Sequence, residues 1–424
     1  DLRAQAVARQ ALAQHVGLRA VTVHQQAHAL GVGKDKEVGQ PLALGGQEGR
    51  PYGMAGGDGG HVVRHQPLQE GDTVRPRNTE HGAIRKMSNS GHTRNLAMPV
   101  PAGKGKERLA HRQNLTSTAC MHILFITSTR LGDAILSTGL LDTLLHRYPQ
   151  ADFTIACGPV AAGLFAHMPR RVRTIEMVKR RYDMHWVDLW RQCRGQKWDL
   201  CVDLRGSVIS YFLRVGRRHV MHGGRREGRR ITHIGNLLDL DPAPMPVTWT
   251  GADERARAAM MLPDGPHWVA LGPTANWDGK IWPADRFVAV FNMLRAADPA
   301  MRPVILYGPG EGERTRAQAV LDHLPDALDT KGNLSITQVA ALLARCTLFI
   351  GNDSGLMHLA AAAGIPTVGL FGRSRASEYA PSGPWARVAM APGPVGNAPM
   401  EGLSVVHVAT TARCLLADRW KQKR

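Results

Sequence analysis

Three short runs hold side chains whose types and spacing suit chemistry. STRLGD (128–133) follows an apolar run of strand length, MHILFIT (121–127), and precedes a helical pattern, AILSTGLLDTLLHRY (134–148). Such a strand–loop–helix junction is where open α/β sheets bind ligands, outside the carboxyl ends of the strands. Gly132 permits a close approach. Asp133 stands at the helix start, where it either caps the helix or holds a carboxylate in the crevice. GPTANWDGKIWP (272–283) sets Thr274 and Lys280 in a polar loop between strand and helix. Lys280 there is a point charge for a phosphate or a surface lysine beside an aromatic, and Thr274 offers a hydroxyl. GNDSG (351–355) sets Asp353, Ser354 and Gly355 at a helix N-terminus. The free N–H groups and dipole of such a terminus suit a diphosphate, with Asp353 on ribose hydroxyls or capping the helix. His358 lies four residues after Ser354, on the same helix face, and reads as a site-lining residue or a packed core histidine. The glycines of GPGEGERT (308–315) fit neither a Walker loop nor a dinucleotide fingerprint.

The elements that must position these runs alternate. After the first strand and helix, ADFTIACG (151–158), VRTIEM (172–177) and WDLCVDLRG (198–206) read as strands. VAAGLFAHM (160–168), HWVDLWRQCRGQ (185–196) and SVISYFLRVG (207–216) read as helices. A Pro-rich stretch, 239–254, marks a change of domain. The second half repeats the logic with strands at HWVALGP, MRPVIL, TLFIGND and IPTVGLFG. Helices are expected at WPADRFVAVFNML, LSITQVAALLARC and SGLMHLAAAAG. This alternation predicts mostly parallel sheets covered on both faces. The expected division is 121–247 for an acceptor-side Rossmann-like domain and 248–400 for a donor domain, with 401–424 as a C-terminal helix packing back on the first domain.

Residues 1–120 are rich in Gly, His, Gln and Arg, have few aromatics and show no sustained period. They read as a disordered extension, or as upstream sequence before a natural start at Met121. The chain carries 53 Lys and Arg against 35 Asp and Glu, a net charge of +18. That charge suits nucleic acid, an anionic membrane surface or an acidic substrate. Acidic residues interrupt the basic N-terminal segment and aromatics are scarce there, so no nucleic-acid partner is expected. Arg217, Arg218, Arg225, Arg226, Arg229 and Arg230 form a basic run for phosphates or lipid headgroups. The six cysteines lack CxxC spacing and no zinc-type cluster occurs, so thiols in a reducing compartment and no metal are expected. No run of eighteen apolar residues and no signal-peptide pattern is present, which predicts a cytoplasmic protein with at most peripheral contact with the inner membrane.

Two such domains enclose a cleft with Asp133 on one side and Lys280 and a helix N-terminus on the other. This suits a nucleotide-diphosphate donor in the second half and an acceptor in the first. Asp133 would take the proton from an acceptor hydroxyl, and a single displacement would invert the anomeric carbon. The chain from 121 to about 420 resembles the bacterial lipopolysaccharide heptosyltransferases, glycosyltransferase family 9, of GT-B architecture. The resemblance rests on STRLGDAILSTG, DLRGS, GPTANWDGKIWP and DSGLMHLAAAAGIPTVGLFG, in that order. Gly372, Arg373 and Ser374 depart from the family's usual Gly-Pro-Thr. The resemblance implies an inverting transfer of heptose from ADP-heptose to a lipid-linked core oligosaccharide by a monomer without a cofactor. It places the base at Asp133 and the donor site at Thr274, Lys280, Asp353, Ser354, Gly355 and His358. Arg130 and Arg205, at the two strand ends of the first half, are the acceptor-side candidates. Two rivals remain open: a nucleotide-sugar epimerase of the two-Rossmann type and a non-catalytic nucleotide-sugar-binding protein.

Overall fold

Branched and aromatic side chains build the first strand, β1 (His122–Ile126), and four of its five residues are buried. The chain then forms α1 (Leu131–Leu136), α2 (Thr138–Arg147), β2 (Asp152–Cys157), α3 (Pro159–Ala162), β3 (Arg171–Glu176), α4 (His185–Cys193), β4 (Trp198–Asp203), β5 (Val215–Val220) and α5 (Arg230–Gly235). After the Pro-rich link come α6 (Ala252–Met261), β6 (His267–Gly272), α7 (Ala284–Ala297), β7 (Met301–Ile305), α8 (Glu311–Leu321), β8 (Leu328–Asp329) and α9 (Ile336–Leu343). Then follow β9 (Leu348–Asn352), α10 (Gly355–Ala362), β10 (Thr367–Phe371), α11 (Ala376–Tyr379), β11 (Ala386–Met390) and α12 (Val405–Gln422). This computed structural model describes residues 120–222 and 227–422. The expectations for 1–119, and those for Arg225 and Arg226, lie outside the described residues.

The strands form two parallel sheets, ordered β3-β2-β1-β4-β5 and β11-β10-β9-β6-β7-β8. In each sheet the chain starts at a central strand, winds outward to one edge, then returns to the centre and winds to the other. The order therefore reverses between β1 and β4 and again between β6 and β9. Crevices open outside the carboxyl ends of strands at such reversals, because the flanking connections leave in opposite directions. Register fixes what lies there. Ile126 pairs with Asp203, so the loop after β1 and the loop after β4 emerge side by side. Gly272 pairs with Gly351, so Thr274 and Asp353 each stand two residues beyond a matched pair.

The described residues belong to one compact unit. Its largest apolar cluster runs through both halves, joining Phe125, Ile135 and Phe153 to Phe349, Met357 and Leu359. Beside the link, His167 Nε2 meets Glu254 Oε1 at 2.7 Å, and this bond holds the Glu254 carboxyl below its ordinary range. Thr337 donates to the same oxygen at 3.4 Å. α9 behind it is fixed by a capping box between Ser335 and Gln338, worth about 1 kcal/mol.

Three expectations change. SVISYFLRVG is not a helix: Val208–Phe212 is a 3-10 turn, and β5 follows along β4. Ile209 and Leu213, buried four apart, imitate a helical stripe, while the strand that follows lies at the sheet edge. Arg217 and Arg218 are consequently strand residues. The Pro-rich stretch also runs directly into a helix, α6, whose start at 252 hides in the polar ADERAR sequence. Finally, α12 packs on α7 and on β9, β10 and β11. It buries Val408, Ala412 and Leu415 against the second sheet, so it does not pack back on the first domain as expected.

Candidate active site

The β1–β4 crevice receives the loop 127–133. Arg130 is the N-cap residue of α1 and makes no side-chain cap bond, and Asp133 is in the helix's first turn. The capping reading of Asp133 therefore gives way. An acidic group there is favoured by the helix dipole. Its carboxylate is half-buried, with Ser128 Oγ 3.5 Å from Oδ2 and Arg230 Nε 3.8 Å from Oδ1. Arg230 is reached only through the fold, because it lies 97 residues downstream of Asp133.

The neighbouring loop is organised by Asp203, which is fully buried at the end of β4. It accepts the N–H of Arg205 at 2.8 Å, the N–H of Ser207 at 2.9 Å and the Ser207 hydroxyl at 2.5 Å. Burial raises its carboxyl above the ordinary value, and the bonds from Ser207 and Arg205 oppose that rise. Asp203 is thus used up in holding the turn. The turn presents Arg205 outward, where Nη1 reaches Thr129 Oγ1 at 3.3 Å. Arg130 and Arg205 are both exposed, at the rim of one crevice.

The β6–β9 crevice is of another kind. Lys280, in a 3-10 turn before α7, places Nζ 2.5 Å from Asp353 Oδ2, and Asp353 is nearly buried. An ammonium has three donors, so two remain for a ligand. Thr274 is buried at the end of β6. Asn352 accepts the Trp282 N–H through Oδ1 at 3.1 Å, while its Nδ2 is buried without a partner. Ser354 stands at the N-cap of α10, yet its hydroxyl makes no cap bond and is likewise buried and unpaired. His358 Nδ1 and Ser374 Oγ share that condition. Four of the seven such atoms among the described residues therefore gather at the ends of β9 and β10 and the first turn of α10. Unsatisfied buried polar groups are costly, and water or a ligand in this crevice would complete them.

The two crevices face each other. A Cβ at Gly132 would lie 3.0 Å from His358 Cδ2, and one at Gly355 would lie 2.9 Å from Leu131 Cδ2. A side chain at either position would have to push aside the His358 ring or the end of Leu131, so the two glycines suit this close approach of α1 and α10. Burial pulls the His358 imidazole below its ordinary value, against the opposing fields of Asp353 and Asp133. Lys280 and Arg229 add to the lowering. His358 is therefore neutral near pH 7 and offers a hydrogen bond rather than a charge. Burial raises the Tyr379 phenol, and the Asp133 field adds to that rise. Arg229 spans the halves, donating to Ala380 O and Pro381 O at 3.0 Å and to Ser382 Oγ at 2.9 Å.

The structure thus brings Asp133, Lys280, Asp353 and His358 to one place, with Ser354 and Gly355 on the same helix start. Thr274 is level with Asp353 but makes no bond to the others that the geometry records. Arg130 and Arg205 stay at the rim. Asn352 and Ser374 went unassigned from sequence although they flank motif residues. Arg229 and Arg230 carried no individual signal within the basic run. Among the described residues, no three His, Cys, Asp or Glu side chains gather as a metal site.

Residues 235–394 match the family model for glycosyltransferase family 9 (heptosyltransferase). The lipopolysaccharide heptosyltransferase 2 of Salmonella typhimurium is 26% identical over 297 residues, covering 60% of this chain and 83% of that protein. A solved glycosyl transferase family 9 structure from Veillonella parvula superposes with a TM-score of 0.62 at 20% identity, covering 70% of this chain and 97% of that one. The E. coli ADP-heptose LPS heptosyltransferase II gives 0.59 at 21%, covering 70% and 99%. These two share the α/β fold of paired parallel sheets, the GT-B arrangement.

Proposed function

We propose that the chain is a glycosyltransferase of family 9, which its resemblance to the family model and to the curated heptosyltransferases supports, and that it moves heptose from ADP-heptose to a lipopolysaccharide core or related oligosaccharide, with inversion. The heptosyltransferase names of the curated relatives favour transfer over the epimerase and non-catalytic alternatives. ADP-heptose is the donor named for the E. coli relative, and heptosyl transfer is named for the curated ones. The observation that carries the reading is the contact of Gly132 with His358, which sets Asp133 against the first turn of α10.

The donor's diphosphate would take the N-terminus of α10, the free donors of Lys280 and the hydroxyls of Thr274 and Ser354. The helix dipole and backbone N–H groups favour that charge. Lys280 would meet the charge that grows on the leaving phosphate oxygen as the anomeric C–O bond breaks. Asp353, tied to Lys280, would fix that ammonium. Arg130 and Arg205 would bind the acidic acceptor at the rim. The acceptor hydroxyl would attack the anomeric carbon from the face opposite ADP, its proton passing to the Asp133 carboxylate. Arg230, at 3.8 Å, would balance the carboxylate's charge until then. The reaction would run in the cytoplasm, where a nucleotide sugar and a membrane-borne acceptor would meet.

The test is ADP release from ADP-heptose with and without a heptose-deficient lipopolysaccharide acceptor. Release that requires the acceptor, giving a product of inverted anomeric configuration by NMR, is expected. Acceptor-independent release, or retained configuration, would overturn the proposal.

A further inference from the structure

One outer face of the first half has an unusual surface. There α4 and the 3-10 turn Val208–Phe212 pack over the apolar layer of Leu124, Ile126 and Ile175. Trp190 Nε1 donates to Phe212 O at 3.1 Å, which joins helix and turn. Four of the five arginine–aromatic stacks among the described residues lie here. Arg181 sits 4.9 Å from the Tyr182 ring, Arg194 5.1 Å from Trp190, Arg205 5.9 Å from Trp186, and Arg218 5.2 Å from Tyr211.

Apolar and aromatic side chains stand out between those arginines. Tyr182 is 76% exposed, Val178 57%, Tyr211 56% and Phe212 41%. Tyr182 and the residue after it both hold left-handed backbone, at φ 57° and 55°. Two such non-glycine residues in succession are costly, and a strained turn that projects a tyrosine outward points to a use for it. Residues 178–218 carry ten Lys and Arg against four Asp. Of those four, Asp203 is buried and Asp188 is paired with Arg180 at 2.8 Å. At the same rim a depression of about 550 Å³ has Met177 and Leu189 on its floor and Arg180 and Arg191 beside it. His185 lines it, 7% exposed, with Nδ1 unpaired.

We propose that this face docks on an anionic phospholipid bilayer. Tyrosine and tryptophan settle at the headgroup level with an apolar body and a polar tip, and nearby arginines meet lipid phosphates. The charge is complementary to such a surface. The aliphatic Val178 and Val208 find apolar contact in acyl chains, and none on a nucleic acid or a sugar. The proposal rests on the functional reading at one point: Arg205 belongs both to this face and to the acceptor-side crevice, so a lipid-borne acceptor would arrive beside Asp133.

Co-sedimentation of the full chain with vesicles tests it. Phosphatidylcholine vesicles are compared with vesicles in which roughly a third of the lipid is phosphatidylglycerol. Two variants are used, a Tyr182→Ser, Tyr211→Ser, Phe212→Ser triple and a Lys179→Glu, Arg181→Glu double. The wild type is expected to prefer the anionic vesicles by about tenfold or more, and each variant to lose about tenfold of that partitioning. Thermal midpoint and turnover on a lipid-free core oligosaccharide should stay unchanged. Equal binding by wild type and both variants, or no preference for anionic lipid, would overturn the proposal. So would lost turnover on the lipid-free acceptor with vesicle binding intact, which would make the face a sugar subsite. Absent vesicle binding with intact acceptor-dependent ADP release sinks only the docking face. Vesicle binding without heptosyl transfer sinks only the functional reading.

Discussion

The two crevices differ in how completely the chain has built them before any ligand arrives. At β6–β9, Asn352, Ser354, His358 and Ser374 hold buried polar atoms without partners, and Lys280 is already aimed by Asp353. At β1–β4, the buried carboxylate Asp203 is fully bonded within its own turn, and the candidates for ligand contact, Arg130 and Arg205, face solvent. The contrast is what a shared nucleotide and a variable acceptor would require. Preorganised buried donors suit one fixed diphosphate, because their orientation is set before the charge arrives. Exposed guanidiniums on a rim accommodate acceptors of differing shape through charge and bidentate bonds.

The largest effect should come from Asp133, the first-half carboxylate set beside the first turn of α10. Asp133→Asn keeps shape and removes the proton acceptor, so turnover should fall by about 10²-fold or more, with the fold intact. Turnover within a few-fold of wild type would remove Asp133 as the base and leave the β1–β4 crevice as a binding rim only. A smaller effect separates the crevices by pH. The imidazole of His358 lies below its ordinary 6.5 because burial disfavours the charged form. Its contribution to stability is therefore complete above about pH 6.5 and is lost as pH falls below that, towards the folded-state value. Thermal midpoints measured from pH 7.5 down to about 5.5 should decline in the wild type and decline less in His358→Gln. Parallel curves would mean that the buried imidazole does not titrate on unfolding in this window.

The sequence made the second crevice more legible than the first, for a physical reason. A buried site needs many residues at fixed offsets, and GNDSG followed by His358 within one helix supplies them on a single continuous stretch. The repeating strand–loop–helix pattern also exposed both parallel sheets, since buried parallel strands read as short apolar runs. The first crevice is assembled from distant pieces. Arg230 comes to Asp133 from 97 residues away, and nothing in a run of arginines says which one folds inward. Ile209 and Leu213 imitated a helix because a 3-10 turn followed by an edge strand buries residues at a similar interval. The return of the last helix to the second sheet depended on Val408, Ala412 and Leu415 matching that sheet rather than the first, which spacing alone does not specify. The outward-facing arginine–aromatic stacks were invisible for the same reason, since each pair except Arg181 with Tyr182 joins residues that are not chain neighbours.

The most direct test of the division between the crevices is calorimetric titration of ADP into three proteins: wild type, Asp133→Asn and Lys280→Met. A charged hydrogen bond of about 1.5–3 kcal/mol corresponds to a loss of roughly tenfold or more. That loss is expected for Lys280→Met, with an affinity within about twofold of wild type for Asp133→Asn. Weakened ADP binding in Asp133→Asn, with Lys280→Met unchanged, would place the nucleotide on the first half and contradict it.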